Sequence, residues 1–146
     1  CILTKGQCVS NLLCHSREWR CNCTGMIQER SILKVADNSG AKLVRCFRIL
    51  GGSKRRYAQI GDVIVVSVQT AEPRKAVKKK DVVRALVVRQ RAPIRRSDGT
   101  RLRFDDNAVV LVDKKEPKAT RIFGPIPREI KEKGYDTIAS LAEELV

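Results

Sequence analysis

From Met26 onward, short apolar runs alternate with clusters of turn formers, the rhythm of a β-protein. Residues 32–36 are the first run, and Asp37-Asn38-Ser39-Gly40 closes it with four residues that favour turns. Residues 42–50 alternate, with Leu43, Phe47 and Ile49 on one side and Arg45 between them, which predicts a half-buried strand. Cys46, in the same segment, reads as a small core residue. Gly51-Gly52-Ser53 breaks the run. Residues 63–68 are nearly continuous β-branched sequence, as in a strand inside a small barrel. Residues 82–89 and 108–112 follow, and between them Ser97-Asp98-Gly99 predicts a hairpin turn in which glycine supplies the positive φ.

The carboxyl end has a different period. Pro127 suits a first helical turn, residues 128–133 continue it, and Gly134 suits the position just beyond its end. Residues 137–145 predict a second short helix, with Asp136 or Thr137 as N-cap and Ile138, Leu141, Ala142 and Leu145 along one stripe. Strands at this spacing, with no helices between them, favour an antiparallel barrel or sandwich over a parallel α/β sheet. The expectation is a mostly β domain over 26–146, with its helices within about 125–146.

Composition adds a partner class. The 146 residues carry a formal charge of +14, yet 42% are hydrophobic, so the chain has both a core and a positive surface. Such a surplus points to a polyanion, with RNA or DNA ahead of a merely solvated basic face. No apolar run approaches the ~18 residues that span a bilayer, so no membrane partner is expected.

The cations cluster at the turns. Lys54-Arg55-Arg56-Tyr57 follows the glycine break, while Arg74-Lys75 and Lys78-Lys79-Lys80 lie between two strands. Arg89, Arg91, Arg95, Arg96, Arg101 and Arg103 surround the predicted hairpin. Arginine forks match phosphate oxygens, and a rigid barrel limits the ordering cost of the loops that carry them. Aromatic residues are few, and most read as core. Tyr57 is the one stacking candidate, with a packed tyrosine as the alternative. Recognition by shape and phosphate contact therefore fits better than successive base stacking.

Residues 1–25 differ in kind. Five of the six cysteines (Cys1, Cys8, Cys14, Cys21, Cys23) fall there, with His15 and Trp19, which sets a boundary at Gly25–Met26. Cys8, Cys14, Cys21 and Cys23 form a weak candidate zinc set, since no C-x-x-C pair is present. A disulfide framework would require an oxidising compartment, which the cysteine-poor remainder does not suggest. One acid, two arginines and several Ser and Thr loosely suit an organellar transit remnant, and the start at Cys1 suggests processing or an incomplete end. The preferred reading is an extension without chemistry of its own, ordered against a partner.

Catalytic patterns do not assemble. His15 offers no general base to the barrel. Gly51-Gly52-Ser53-Lys54 lacks the spacing of a phosphate-cradling loop. Asp105-Asp106 is a remote candidate for Mg²⁺ in a nuclease, read with Asp37 and Asp62 as solvated turn residues. No cofactor and no enzymatic activity are expected.

At this point the residues resemble a known family. Met26-Ile27-Gln28, the string from Leu33 to Ala41, Gly51-Gly52-Ser53 with Arg55-Arg56-Tyr57-Ala58, and Ile60-Gly61-Asp62-Val63-Ile64 occur in order. Ala85-Leu86-Val87-Val88, Asp98-Gly99, Phe104, Asn107 and Thr120-Arg121-Ile122-Phe123-Gly124-Pro125 continue the register. Residues 26–146 are thus similar to the universal ribosomal large-subunit protein fourteen, in its bacterial or organellar form. The resemblance implies a closed five-stranded β-barrel and a structural role in the large subunit, in an organelle (mitochondrion before plastid) or otherwise the bacterial cytoplasm. It implies large-subunit rRNA, neighbouring ribosomal proteins and small-subunit rRNA across the interface as partners. By carry-over, Arg55, Arg56, Tyr57, the 78–80 loop and the 95–96 hairpin would face RNA. Thr120, Arg121, Phe123 and Arg128 would belong to the protein and subunit interface, which in bacteria and organelles also receives a ribosome-silencing factor. Two positions depart from the family: bacterial relatives often have glycine where Lys80 stands and a basic residue near Thr137. A free RNA- or DNA-binding regulator or chaperone is the alternative function.

Overall fold

The chain's structure, a computed structural model, describes residues 25–146 apart from 53 and 115. The cysteines at 1, 8, 14, 21 and 23, with His15 and Trp19, lie outside the described residues, as do the zinc and disulfide readings built on them. The elements are β1 (Ile32–Val35), β2 (Ala41–Ile49), β3 (Val63–Ala71), β4 (Val82–Arg89), β5 (Ile94–Arg95), β6 (Arg101–Leu102) and β7 (Ala108–Asp113). After them come β8 (Glu116–Pro117), β9 (Ile122–Ile126), α1 (Glu129–Glu132), α2 (Asp136–Ser140) and β10 (Ala142–Leu145).

Five strands close into the expected barrel in the order β1-β2-β3-β4-β7, with β7 returning to β1. Four of the five pairings are antiparallel, whereas β1 and β7 are parallel, with Lys34 opposite Ala108 and Val35 opposite Val109. Parity requires such a seam. Strands of alternating direction close a ring only when their number is even, so five strands must leave a parallel pair.

The seam is short, and a side chain extends it. The Lys34 and Ala36 N–H groups donate to Asn107 and Val109 at 3.0 and 2.9 Å. One rung further, β1 has already turned away, and the Leu111 N–H donates instead to Asp37 Oδ2 at 2.7 Å. Asp37 Oδ1 accepts from the Ser39 N–H at 2.9 Å and from the Ser39 hydroxyl. Asp37 is 6% exposed, so the expectation of a solvated turn residue is corrected. Its carboxylate substitutes for backbone acceptors that the tight turn withdraws.

Two apolar cores share the barrel wall. Leu33, Val44, Cys46, Ile64, Val66, Val87, Val109 and Leu111 fill the interior. Leu86, Val88, Val110 and Val112 point outward from β4 and β7, where Ile122, Ile126, Ile130 and Ile138 cover them. Burial on both faces explains the unbroken apolar runs at 85–88 in β4 and 108–112 in β7. The similar run in β3 has a different basis, because its side chains alternate between the core and a half-exposed outer face.

β2 departs from simple alternation. Val44, Cys46 and Ile49 point inward while Leu43 and Phe47 are exposed, Phe47 at 67%. Register shifts between Leu43 and Val44 and between Cys46 and Arg48 change the phase, so Phe47 does not share the face of Ile49. Phe123 is 46% exposed, on the surface where the resemblance put it.

The carboxyl end also differs from expectation. α1 forms where predicted, with Gly134 at φ +84° just past its C-cap. α2 stops at Ser140, and Tyr135 holds its cap position without a side-chain bond, so neither Asp136 nor Thr137 is the N-cap. Residues 142–145 are not helical. They form β10, parallel to β9, with Glu144 opposite Pro125 and Leu145 opposite Ile126. Propensity loses here to tertiary demand: β9 has backbone groups to satisfy, and the Val146 N–H donates to Ile126 at 2.9 Å.

Replacing Asp37 with alanine strands the Leu111 and Ser39 donors inside the protein. Asp37→Ala is expected to lower stability by about 2–4 kcal/mol in urea unfolding, while Asp105→Ala changes it by less than about 0.5 kcal/mol. Equal small losses would contradict the role given to the seam.

Candidate nucleic-acid interface

The barrel register sorts the basic loops into two groups. Ile49 lies opposite Ile64, and Arg89 lies opposite Ala108, so the 50–62 loop and the 90–107 segment leave the same end. That end carries Lys54, Arg55, Arg56, Tyr57, Arg91, Arg95 and Arg101, all exposed, with Arg89 and Arg96 partly buried. The 72–81 loop leaves the other end beside the 37–40 turn, since the Glu72 N–H donates to Gly40 at 2.8 Å. It presents Arg74, Lys75, Lys78, Lys79 and Lys80, all exposed. At ~3.3 Å per residue the strands hold the two groups about 25 Å apart. The sequence-predicted residues therefore form two patches at opposite ends.

Several of these cations are engaged within the chain. Arg55 pairs with Asp62, which also accepts the Gln59 N–H at 2.7 Å and lies 3.7 Å from Lys133 Nζ. Arg91 Nε donates to the Asp105 carbonyl at 2.7 Å. Arg89 Nε lies 3.6 Å from Asp106, whose other oxygen lies 3.7 Å from Lys34. Asp106 is therefore a counter-ion for two cations. Among the described residues, no three His, Cys, Asp or Glu side chains converge as a metal site. The Arg89 guanidinium rests on Gly124, where φ is +81° and an added Cβ would overlap Nη1.

Arg96 is the most committed of the set. Its Nε donates to Glu129 at 2.6 Å, and Nη2 donates to Glu129 at 3.3 Å and to the Val146 carbonyl at 2.8 Å. The pair raises the Arg96 pKa and holds the Glu129 carboxyl below its ordinary value, chiefly through that hydrogen bond. Arg96 thus fastens the β5–β6 hairpin to α1 and the terminal strand. Lys54, Arg56, Arg74, Lys75, Lys78, Lys79, Lys80, Arg95 and Arg101 have side chains with no such partner among the described residues.

Backbone strain marks the 72–81 loop and two turns outside the basic groups. Non-glycine residues with positive φ are Arg30 (69°), Arg74 (66°), Lys80 (74°) and Lys114 (59°), and all four are basic. A left-handed L-residue costs roughly 1–2 kcal/mol, which glycine would avoid. Lys80, at φ 74°, holds the left-handed conformation that glycine adopts without cost, with a cation on it.

Thr120, Arg121 and Phe123 are exposed beside the 36–38 turn, where the Phe123 N–H donates to Ala36 at 2.7 Å. Arg128 lies apart, exposed at the start of α1. Sequence reasoning did not select the exposed cations on the strand faces, Arg45, Arg48 and Arg84. For β2 the signal was the adjacent apolar pair Cys46-Phe47, which breaks alternation and marks a bulge. Cys46 stays inert, because burial, reinforced by Glu29, pushes its thiol up to about 11.

Fold and charge layout together define a small closed β-barrel with cationic loops at both ends, a scaffold suited to a polyanionic surface. The chain belongs to the ribosomal protein L14p/L23e family, whose model matches residues 26–146. Membership places it among the structural proteins of the large ribosomal subunit.

A depressed Glu129 pKa means that its contribution to stability is present above the unfolded carboxylate value of ~4.3 and is lost as pH falls through the folded value. Glu129→Gln is therefore expected to lose less stability than the parent chain between about pH 5 and pH 3 in urea titrations. Parallel losses would remove the clasp from the account. Lys80→Gly should raise stability by about 0.5–1 kcal/mol, the relieved strain less the backbone entropy of glycine. Thermal melting checks this, and a destabilised variant would refute the strain.

Proposed function

We propose that this chain binds large-subunit rRNA through both cationic ends of its barrel and acts as a fixed spacer between RNA segments at the subunit interface. The supporting observation is the layout of charge. Exposed cations without a partner among the described residues cap both ends of the barrel, and in the 72–81 loop Arg74 and Lys80 hold the left-handed conformation that glycine favours, an outlier of the kind found at functional sites. The unpartnered loop cations contact phosphates, while Arg55, Arg89, Arg91 and Arg96 first organise the loops that carry them. Contacts of this kind position the protein without reading sequence.

Thr120, Arg121 and Phe123 form the protein-facing surface in this reading, adjoining a neighbouring large-subunit protein and receiving a ribosome-silencing factor. Small-subunit rRNA is reached across the interface. The barrel supplies rigidity, so little conformational entropy is lost when the loops engage.

Removing four free cations in one chain (Arg56→Ala, Arg101→Ala, Lys78→Ala, Lys79→Ala) tests the proposal. The salt dependence of binding to large-subunit rRNA should flatten by about 0.7–0.9 per lost contact, with the melting temperature unchanged. The parent chain should also co-sediment with large subunits after a moderate salt wash. An unaltered salt slope, or absence from washed subunits, would overturn the reading.

A further inference from the structure

The outer face of the barrel holds a constellation that the loops do not explain. Between Cys46 and Arg48 the β2–β3 register shifts, and Phe47 is the residue left without a partner. The irregularity turns Phe47 and Arg48 outward in succession, where a regular strand would bury one of them. Phe47 stands 67% exposed, and a bulge gives up pairing in order to re-aim a side chain.

Its surroundings are cationic. Arg45 lies opposite Ser67, Arg48 opposite Val65, and Val65 opposite Arg84 on the next strand. Arg48 and Arg84 are therefore about 10 Å apart, with small side chains between them. Glu29, Arg30, Arg45, Phe47, Arg48 and Ser67 border a shallow depression of about 540 Å³. Glu29 is the one carboxylate among them.

We infer that this face binds one unpaired RNA nucleotide, its base stacked on Phe47 and its flanking phosphates on Arg45, Arg48 and Arg84. The inference rests on the rRNA-binding function proposed above and adds a site on the barrel wall, between the two loop ends. A protein partner fits less well. Across the sheet, exposed Ile32 and Val82 are separated by Arg45 and Ser67, so the apolar groups form no continuous patch. An aromatic ring ringed by arginines suits a base with its phosphates.

The full chain is titrated with a ten-nucleotide uridine RNA and, separately, with a blunt RNA duplex of similar length. Phe47→Ala should weaken single-strand binding about 5- to 150-fold, the range of one base–aromatic stack, with an unchanged salt slope. Duplex binding should change less than about twofold, and Phe47→Trp should restore the single strand. Arg48→Ala should instead flatten the single-strand salt slope by about 0.7. Single-strand affinity indifferent to Phe47→Ala overturns the inference, as it would if a protein occupied this face. That result would leave the rRNA reading intact if the four-cation variant still lost its salt slope. Binding of neither RNA by the parent chain would defeat both.

Discussion

The barrel depends on the carboxylate of Asp37. An odd number of strands forces a parallel seam, and here the seam has only two residue pairs. Asp37 adds the missing rung by accepting the Leu111 N–H, and it pins the turn that leads into β2 through Ser39. Both basic ends follow from this closure. The 72–81 loop leans on the same turn, and the 50–62 and 90–107 segments leave strands whose register the closed ring sets.

The five barrel strands were legible because two signals agreed. Apolar runs gave their positions, and Asp37-Asn38-Ser39-Gly40 and Gly51-Gly52-Ser53 gave limits of the first two, while Ser97-Asp98-Gly99 marked the β5–β6 hairpin. What escaped was phase and partnership. The bulge at Phe47 moves one side chain from core to surface without changing composition. Ile138, Leu141, Ala142 and Leu145 have helical spacing, yet only Ile138 is buried on a helix; the chain beyond Ser140 is claimed by the open edge of β9.

The candidate site was legible as charge and illegible as geometry. Clusters in sequence marked both basic loops, but Arg96 meets Glu129 across 33 residues, a pairing that only the fold creates. Arg55 and Asp62 stand seven apart, close enough to suggest a link that cation counting ignores. Loop cations thus serve two roles, some fixing the shape of the surface and others supplying its free charge. Lys80 falls in the second group and keeps a glycine conformation while doing so.

The parallel seam also governs when the molecule can form. β1 precedes the other four strands of the ring, and its partner β7 is the last of them, so the ring stays open until all five have been synthesised. The covering layer waits longer, because Val146 itself bonds to Ile126 and Arg128. Contacts so distant along the chain make for slow, late folding. A nascent or truncated polypeptide ending before β7 would carry much of the positive charge with no frame to space it, leaving a sticky polycation in place of a ruler.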